Sequence, residues 1–189
     1  GDGTLNEAAN GLAGSDTALA TLPGGSTNVF ARTIGLPNDP IEATSDLLDA
    51  LARDAIRPVG LGNVNGRYFL FHTGVGFDAA IVAQVEKRSG LKRYAGHALF
   101  IYAGIETTLA HYDRSQSHFS VHHADGSVVP DGYMTVVLNT NPYTYLGNRP
   151  FNLAPDAGFD RGLVVVTVRT MKVLPFLNIA ASALAGGKR

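Results

Sequence analysis

Two glycine-rich loops, each running straight into a helix-forming segment, constrain this chain more than any other feature. The first is Gly1-Asp2-Gly3-Thr4-Leu5-Asn6-Glu7, and the second is Leu22-Pro23-Gly24-Gly25-Ser26-Thr27-Asn28. Glycine lets the backbone approach a ligand closely, and the free N–H groups at a helix start attract phosphate oxygens. Thr4 and Ser26 add hydroxyl donors, and Asp2 has the chemistry to hold a magnesium-bound phosphate or a ribose hydroxyl. Neither loop is a Walker A motif or a GxGxxG turn. Taken alone each reads as an ordinary turn; as a pair ahead of helices, they balance that reading against phosphate binding.

Around these loops the apolar spacing predicts three helices. Leu5, Ala8, Ala9 and Leu12 fall at helical intervals, with Thr4 as N-cap and Glu7 closing a capping box. A short apolar run, Thr17 to Leu22, reads as a buried strand, and a helix follows from Asn28 to Ile34, stopped by Gly35 and Pro37. In the third helix Asp39 caps, Pro40 sits in the first turn, and Ile41, Ala43, Leu47, Leu48, Leu51 and Ile56 line one side. From Arg57 the pattern turns to strands: Val59–Val64, Arg67–Thr73, His118–His123, Met134–Asn139 and Leu163–Arg169. Asn65-Gly66 and Asp125-Gly126 supply hairpin turns, Asp131-Gly132-Tyr133 reads as another, and one helix interrupts from Tyr94 to His111. The shift near Arg57 divides an αβ part, 1–56, from a β-rich part, 57–189.

Composition narrows the chemistry. The 189 residues are 45% hydrophobic and 16% charged, ample for a core. Fifteen Lys and Arg balance sixteen Asp and Glu, which argues against a nucleic-acid partner held by bulk positive charge. With no cysteine, a disulfide framework, a thiol nucleophile and a thiolate zinc site are excluded. No run is long and apolar enough to span a membrane; Pro175 and Asn178 interrupt the nearest candidate. The opening Gly-Asp-Gly-Thr has no Met before it, so the chain reads as an internal piece of a longer protein.

The loop residues resemble those of a known family. Gly1 to Glu7 is similar to the end of the Gly-Gly-Asp-Gly-Thr-x-Asn-Glu signature of the diacylglycerol kinase catalytic family, which includes bacterial lipid kinases and sphingosine kinases. Leu22 to Arg32 resembles its second nucleotide loop, and Gly74-Val75-Gly76-Phe77-Asp78-Ala79 and Asn152-Leu153-Ala154-Pro155-Asp156-Ala157 are further matches in the same order. The likeness is strongest to the soluble bacterial lipid kinases.

The resemblance implies an α+β two-domain fold: a partial αβ, NAD-kinase-like nucleotide domain followed by a β-sandwich-like domain, with the active site in the cleft between them. It implies an ATP-dependent kinase acting on a lipid hydroxyl, most simply diacylglycerol giving phosphatidic acid. A sphingosine-, ceramide-type or other lipid kinase, and a non-catalytic nucleotide- or lipid-binding relative, are the alternatives. Asp2, Gly3, Thr4, Asn6 and Glu7 would lie at the nucleotide, with Gly24, Gly25, Ser26 and Asn28 opposite and Mg2+ arriving with ATP. A lipid substrate and transient contact with a membrane surface are the implied partners, in a cytoplasmic, peripheral protein; oligomeric state stays open.

Two departures accompany the resemblance. The family's Asp-Gly-Asp/Glu base motif does not follow Leu163, so the general base is expected downstream of Arg189 and the 189 residues alone are expected to be inactive. The acids the family carries after the second-loop Asn and before a late strand are Val29 and Arg161 here, so no structural magnesium is expected. Among other groups, His118, His122 and His123 read as solvated strand residues, with His118 and His122 sharing a face. His72 and His97 read as packing or hydrogen-bonded residues. The basic stretch 86–93 reads as a solvated loop or a contact for anionic headgroups or phosphates, and Ala98 to Tyr102 as core or an acyl-chain lining.

Overall fold

The computed structural model describes residues 1–87, 106 and 110–187. Most of the helix expected over 94–111, the run Ala98–Tyr102 and His97 lie outside the described residues, as does the basic stretch beyond the helical backbone of Glu86 and Lys87. The elements are α1 (Asp2–Leu12), α2 (Val29–Thr33), α3 (Pro40–Ala52), β1 (Gly62–Val64), β2 (Arg67–Phe69), β3 (His72–Gly76) and α4 (Phe77–Lys87). There follow β4 (Phe119–His122), β5 (Val128–Gly132), β6 (Met134–Leu138), β7 (Thr144–Leu146), β8 (Arg149–Phe151), β9 (Val164–Val168) and α5 (Val173–Leu184). The fold is mixed α and β, with antiparallel pairs β1–β2, β4–β5 and β7–β8 and a three-stranded sheet in the order β3-β6-β9.

The chain forms two compact units. One comprises Gly1–His72, Leu138–Val164 and Ala183–Arg189; the other comprises Thr73–Val137 and Val165–Ser182.

In the first unit Leu5 and Ala9 of α1 meet Phe30 and Leu70, with Leu61, Phe71 and Phe159 packed around them. Phe30 and Phe159 meet edge to face with ring centroids 5.4 Å apart. α3 begins as its residues dictate: the Asp39 carboxylate accepts from the amides of Ile41 (2.8 Å) and Glu42 (3.1 Å), and Pro40 needs no donor there. Its apolar side is less buried than its spacing suggests. Ala43 is fully buried, whereas Ile41 is 80% exposed and Leu48 and Leu51 are exposed; Ile56, expected on the same side, lies beyond the end of the helix at Ala52 and is exposed too. The hairpin turns are chemically legible. Asn65 and Gly66 both take positive φ, 50° and 84°, between the paired Val64 and Arg67, as a type I′ turn requires. Gly147, φ 60°, leads the two-residue turn that joins Leu146 to Arg149.

In the second unit Phe77, 0% exposed, packs with Val168 and Met171, and Ile81, Tyr112, Tyr133, Met134, Phe176 and Ile179 surround them. Tyr112 and Phe176 meet the Phe77 ring edge-on. The Asp125-Gly126 turn closes β4 onto β5, with Asp125 accepting from the Ser127 amide at 2.9 Å. His118 lies just ahead of β4, with its ring near Tyr112 and Nε2 2.7 Å from the Asp113 carbonyl.

Three local expectations are corrected. Thr4 does not cap α1: the helix starts at Asp2 with Gly1 as N-cap, so Thr4 lies inside its first turn. Thr17 to Leu22 is not a strand; it has no ladder partner among the described residues, and residues 17–20 are exposed. Asp131-Gly132-Tyr133 is not a hairpin turn either. Asp131 and Gly132 belong to β5, where the Asp131 carboxylate grips the Arg169 guanidinium through Nε at 2.7 Å and a second nitrogen at 3.1 Å. That fork holds the carboxyl below the usual carboxylate range.

Candidate functional site

The two glycine loops meet in the first unit, and the approach is close enough to require glycine. A β-carbon on Gly25 would stand 2.8 Å from the Gly1 α-carbon and 3.1 Å from Asn28 Oδ1. Asn28 shapes the second loop. It is buried, adopts a left-handed φ of 52°, and turns its amide back on Gly25: Oδ1 accepts from the Gly25 N–H at 2.7 Å, and Nδ2 donates to the Gly25 carbonyl at 3.0 Å. Nδ2 also donates to Asn38 Oδ1 at 2.8 Å. Asn tolerates αL better than other non-glycine residues, which explains why it serves at this bend.

Asp2 joins the loops from the other side. Its carboxylate accepts from the Val29 amide at 3.0 Å and the Phe30 amide at 3.1 Å, at the start of α2. Gly24, Gly25 and Ser26 face solvent, as do Gly3 and Thr4 on the first turn of α1. This leaves a pair of exposed glycine-rich turns with a fixed mutual geometry, a shape suited to an anion or a nucleotide.

Two of the residues singled out from sequence are engaged elsewhere. Asn6 Oδ1 accepts from the Leu70 amide at 3.0 Å, and its Nδ2 donates to the Tyr68 carbonyl at 3.3 Å. Glu7 pairs with Arg67, both side chains well exposed. One turn on, Asn10 accepts from the Tyr68 N–H at 2.9 Å and donates to the Tyr68 carbonyl at 2.8 Å, completing the seat of β2 on α1. Asn10 was missed in the sequence, although its i, i+4 spacing from Asn6 puts both amides on one helix face. Asn38 was missed as well, because nothing local to it points to Asn28.

A second polar corner follows β6. Asn139, 3% exposed, donates to the carbonyls of Gly60 (2.6 Å) and Leu70 (2.8 Å). Asn141 donates to Asn152 Oδ1 at 2.7 Å and accepts from the Ala154 amide at 3.3 Å. Asn141–Pro142 is a cis peptide bond. Arg32 of α2 lies 3.5 Å over the Tyr145 ring and donates to the Gly147 carbonyl at 3.1 Å, which ties the β7–β8 hairpin to α2.

His72 packs at 4.5 Å on Tyr143, and among the described residues its buried Nδ1 has no hydrogen-bond partner. Burial lowers its pKa from 6.5 to about 4, against the opposing pull of the Asp2 charge. The unfolded imidazole therefore takes up a proton below about pH 6.5 that the folded one refuses until about pH 4. The stability His72 contributes when neutral is lost as pH falls through that window. Between pH 7 and pH 5 the protein is expected to lose about 2 kcal/mol more than His72→Phe in urea unfolding. Equal losses would show that the imidazole charges freely in the fold.

Among the described residues no group of three or more His, Asp or Glu is arranged to hold a metal ion. Val29 is buried at the start of α2, and Arg161 is exposed in the loop before β9. Among the described residues no helix is long and apolar enough to cross a membrane.

Comparison with known proteins gives a consistent picture. Residues 1–64 match the family model described as the diacylglycerol kinase catalytic domain. The chain is 29% identical over 189 residues to a protein named diacylglycerol kinase from Bacillus subtilis (strain 168), covering 98% of this chain and 58% of that protein. It is 38% identical over 122 residues to a probable lipid kinase YegS-like of Pseudomonas aeruginosa, covering 64% of this chain and 38% of that protein. A crystal structure of a diacylglycerol kinase from Bacillus anthracis str. Sterne aligns with a TM-score of 0.62 at 28% identity, over 96% of this chain and 56% of that one. The chain thus spans about half the length of the curated relatives it matches.

Proposed function

We propose that this chain, whose residues 1–64 match the diacylglycerol kinase catalytic domain, forms part of an ATP-dependent lipid kinase whose acceptor is the free hydroxyl of diacylglycerol and whose product is phosphatidic acid. The observation that carries this reading is the junction of the two glycine loops, with Gly1 against Gly25 and Asp2 bonded to the first amides of α2. Phosphoryl transfer asks mainly for positioning and charge stabilisation, and exposed backbone donors on a fixed frame supply both.

In this reading the nucleotide phosphates lie along Gly3 and Thr4 on one side and Gly24, Gly25 and Ser26 on the other. Asn28 holds the second loop in shape, and Asn6 and Glu7 act by seating α1 on β2. Residues 1–56 are the C-terminal part of the nucleotide domain, and 57–189 belong to the lipid-kinase domain. The lipid hydroxyl oxygen forms a bond to the γ-phosphorus as the bond to the β–γ bridging oxygen breaks, leaving ADP. The hydroxyl proton passes to a general base that we place downstream of Arg189. Magnesium, bound to the nucleotide phosphates, would neutralise the charge that develops on them. The whole enzyme meets its lipid at a membrane surface.

The test is transfer of labelled γ-phosphate from ATP into an organic-extractable lipid. The whole kinase is presented with diacylglycerol in mixed micelles, with Asp2→Ala as control. Label that disappears in the variant is the expected result. Label only with sphingosine, ceramide or another lipid would keep the mechanism and change the acceptor. ATP binding without label in any lipid would replace the kinase reading with that of a binding module.

A further inference from the structure

The first amides of a helix have no partner within it, and the residue at the N-cap normally supplies one. α2 departs from this pattern. Its N-cap, Asn28, makes no side-chain bond to the helix, because its amide is committed to Gly25 and Asn38. Val29 and Phe30, 5% and 7% exposed, would bury unpaired N–H groups if nothing else reached them. Asp2 reaches them from 27 and 28 residues away in sequence, with Oδ2 on Val29 and Oδ1 on Phe30.

We propose that Asp2 is a positioning residue: it serves the nucleotide through α2, capping that helix from the neighbouring loop, rather than by contacting phosphate or metal. This rests on the nucleotide reading given above and assigns Asp2 its part in it. Each carboxylate oxygen has one amide, so the charge of Asp2 faces the positive end of α2. The link spans the same junction at which Gly1 and Gly25 touch. Displacing α2 would therefore displace Asn28 and the Gly24-Gly25-Ser26 turn with it. An asparagine at position 2 would keep one acceptor oxygen but set an NH2 group against the other amide, so the substitution is not isosteric in function.

Two measurements on Asp2→Asn test this. The first is amide hydrogen exchange of the chain without nucleotide. Val29 and Phe30 are expected to exchange about tenfold faster than in the unsubstituted chain, with the interior amides of α3 unchanged as a check on folding. Unchanged protection at both positions overturns the proposal. The second is ATP affinity with Mg2+ and with EDTA. A positioning role predicts the same loss, about tenfold, in both conditions. A loss confined to the Mg2+ condition overturns it in favour of metal ligation. If the unsubstituted protein binds no ATP, the nucleotide reading fails, and exchange alone decides whether Asp2 holds α2. Should Asp2→Asn not fold, Asp2→Glu, with the charge set one methylene farther out, is read the same way.

Discussion

In the whole kinase proposed above, Gly25→Ala is expected to lower label transfer from ATP into lipid by about a hundredfold while leaving the protein folded. The new methyl carbon would stand 2.8 Å from the Gly1 α-carbon, a separation real β-carbons do not adopt. Its neighbour is backbone, not the tip of a flexible side chain, so the loops themselves must separate. A shift of several tenths of an ångström also strains the two bonds between Asn28 and Gly25. Positioning carries much of phosphoryl transfer, and misplacement on the order of 1 Å costs about 10²-fold. The loops are exposed and carry little of the core, so the urea midpoint should move little. Transfer within twofold of the unsubstituted enzyme would mean that the junction of the loops is not where the nucleotide is held.

Gly76→Ala is expected to cost about 3–5 kcal/mol of stability. Gly76 has φ +77°, and a β-carbon there would stand 2.5 Å from the Tyr133 carbonyl oxygen and 2.7 Å from the Phe119 ring. The Tyr133 carbonyl cannot withdraw freely, since it accepts the Phe77 amide at 3.0 Å and the Tyr112 hydroxyl at 2.9 Å. Left-handed strain alone accounts for about 1–2 kcal/mol; the remainder is steric. Gly126→Ala separates the two contributions. Its φ is +86°, but nothing lies within 4 Å of the added carbon. Exchange protection of the β6 amides should fall far more in Gly76→Ala than in Gly126→Ala. Similar losses in both would remove the steric part of the argument.

Local signals were legible where a side chain acts within a few residues of itself. Asp39-Pro40 marked the start of α3, Asn65-Gly66 and Asp125-Gly126 marked two hairpins, and Gly35 marked the end of α2. The Thr4 capping box failed because Gly1 already occupies the N-cap, so a valid local motif lost to one that starts three residues earlier. β7, β8 and α4 were not foreseen, and β5 was implied only by the turn before it, with no bounds of its own. The strands are short, and β5 includes Pro130 and Asp131, residues that favour turns when read alone. The Asp131–Arg169 fork joins residues 38 apart, and no local rule anticipates it.

The sequence by itself determined the two glycine loops, their order before helices, and their resemblance to the diacylglycerol kinase catalytic family. It also determined which residue types stand where the chain must bend, because φ preferences act at single residues. Only the tertiary structure decided what those residues do. It directed the Asp2 carboxylate onto α2 and committed Asn6, Glu7 and Asn10 to β2. It also buried His72, which favours its neutral form, and gave its Nδ1 no partner among the described residues. The physical reason is that hydrogen bonds and desolvation depend on which groups meet in space. Such meetings, across 27 to 64 residues of chain here, are set by packing and not by any local pattern.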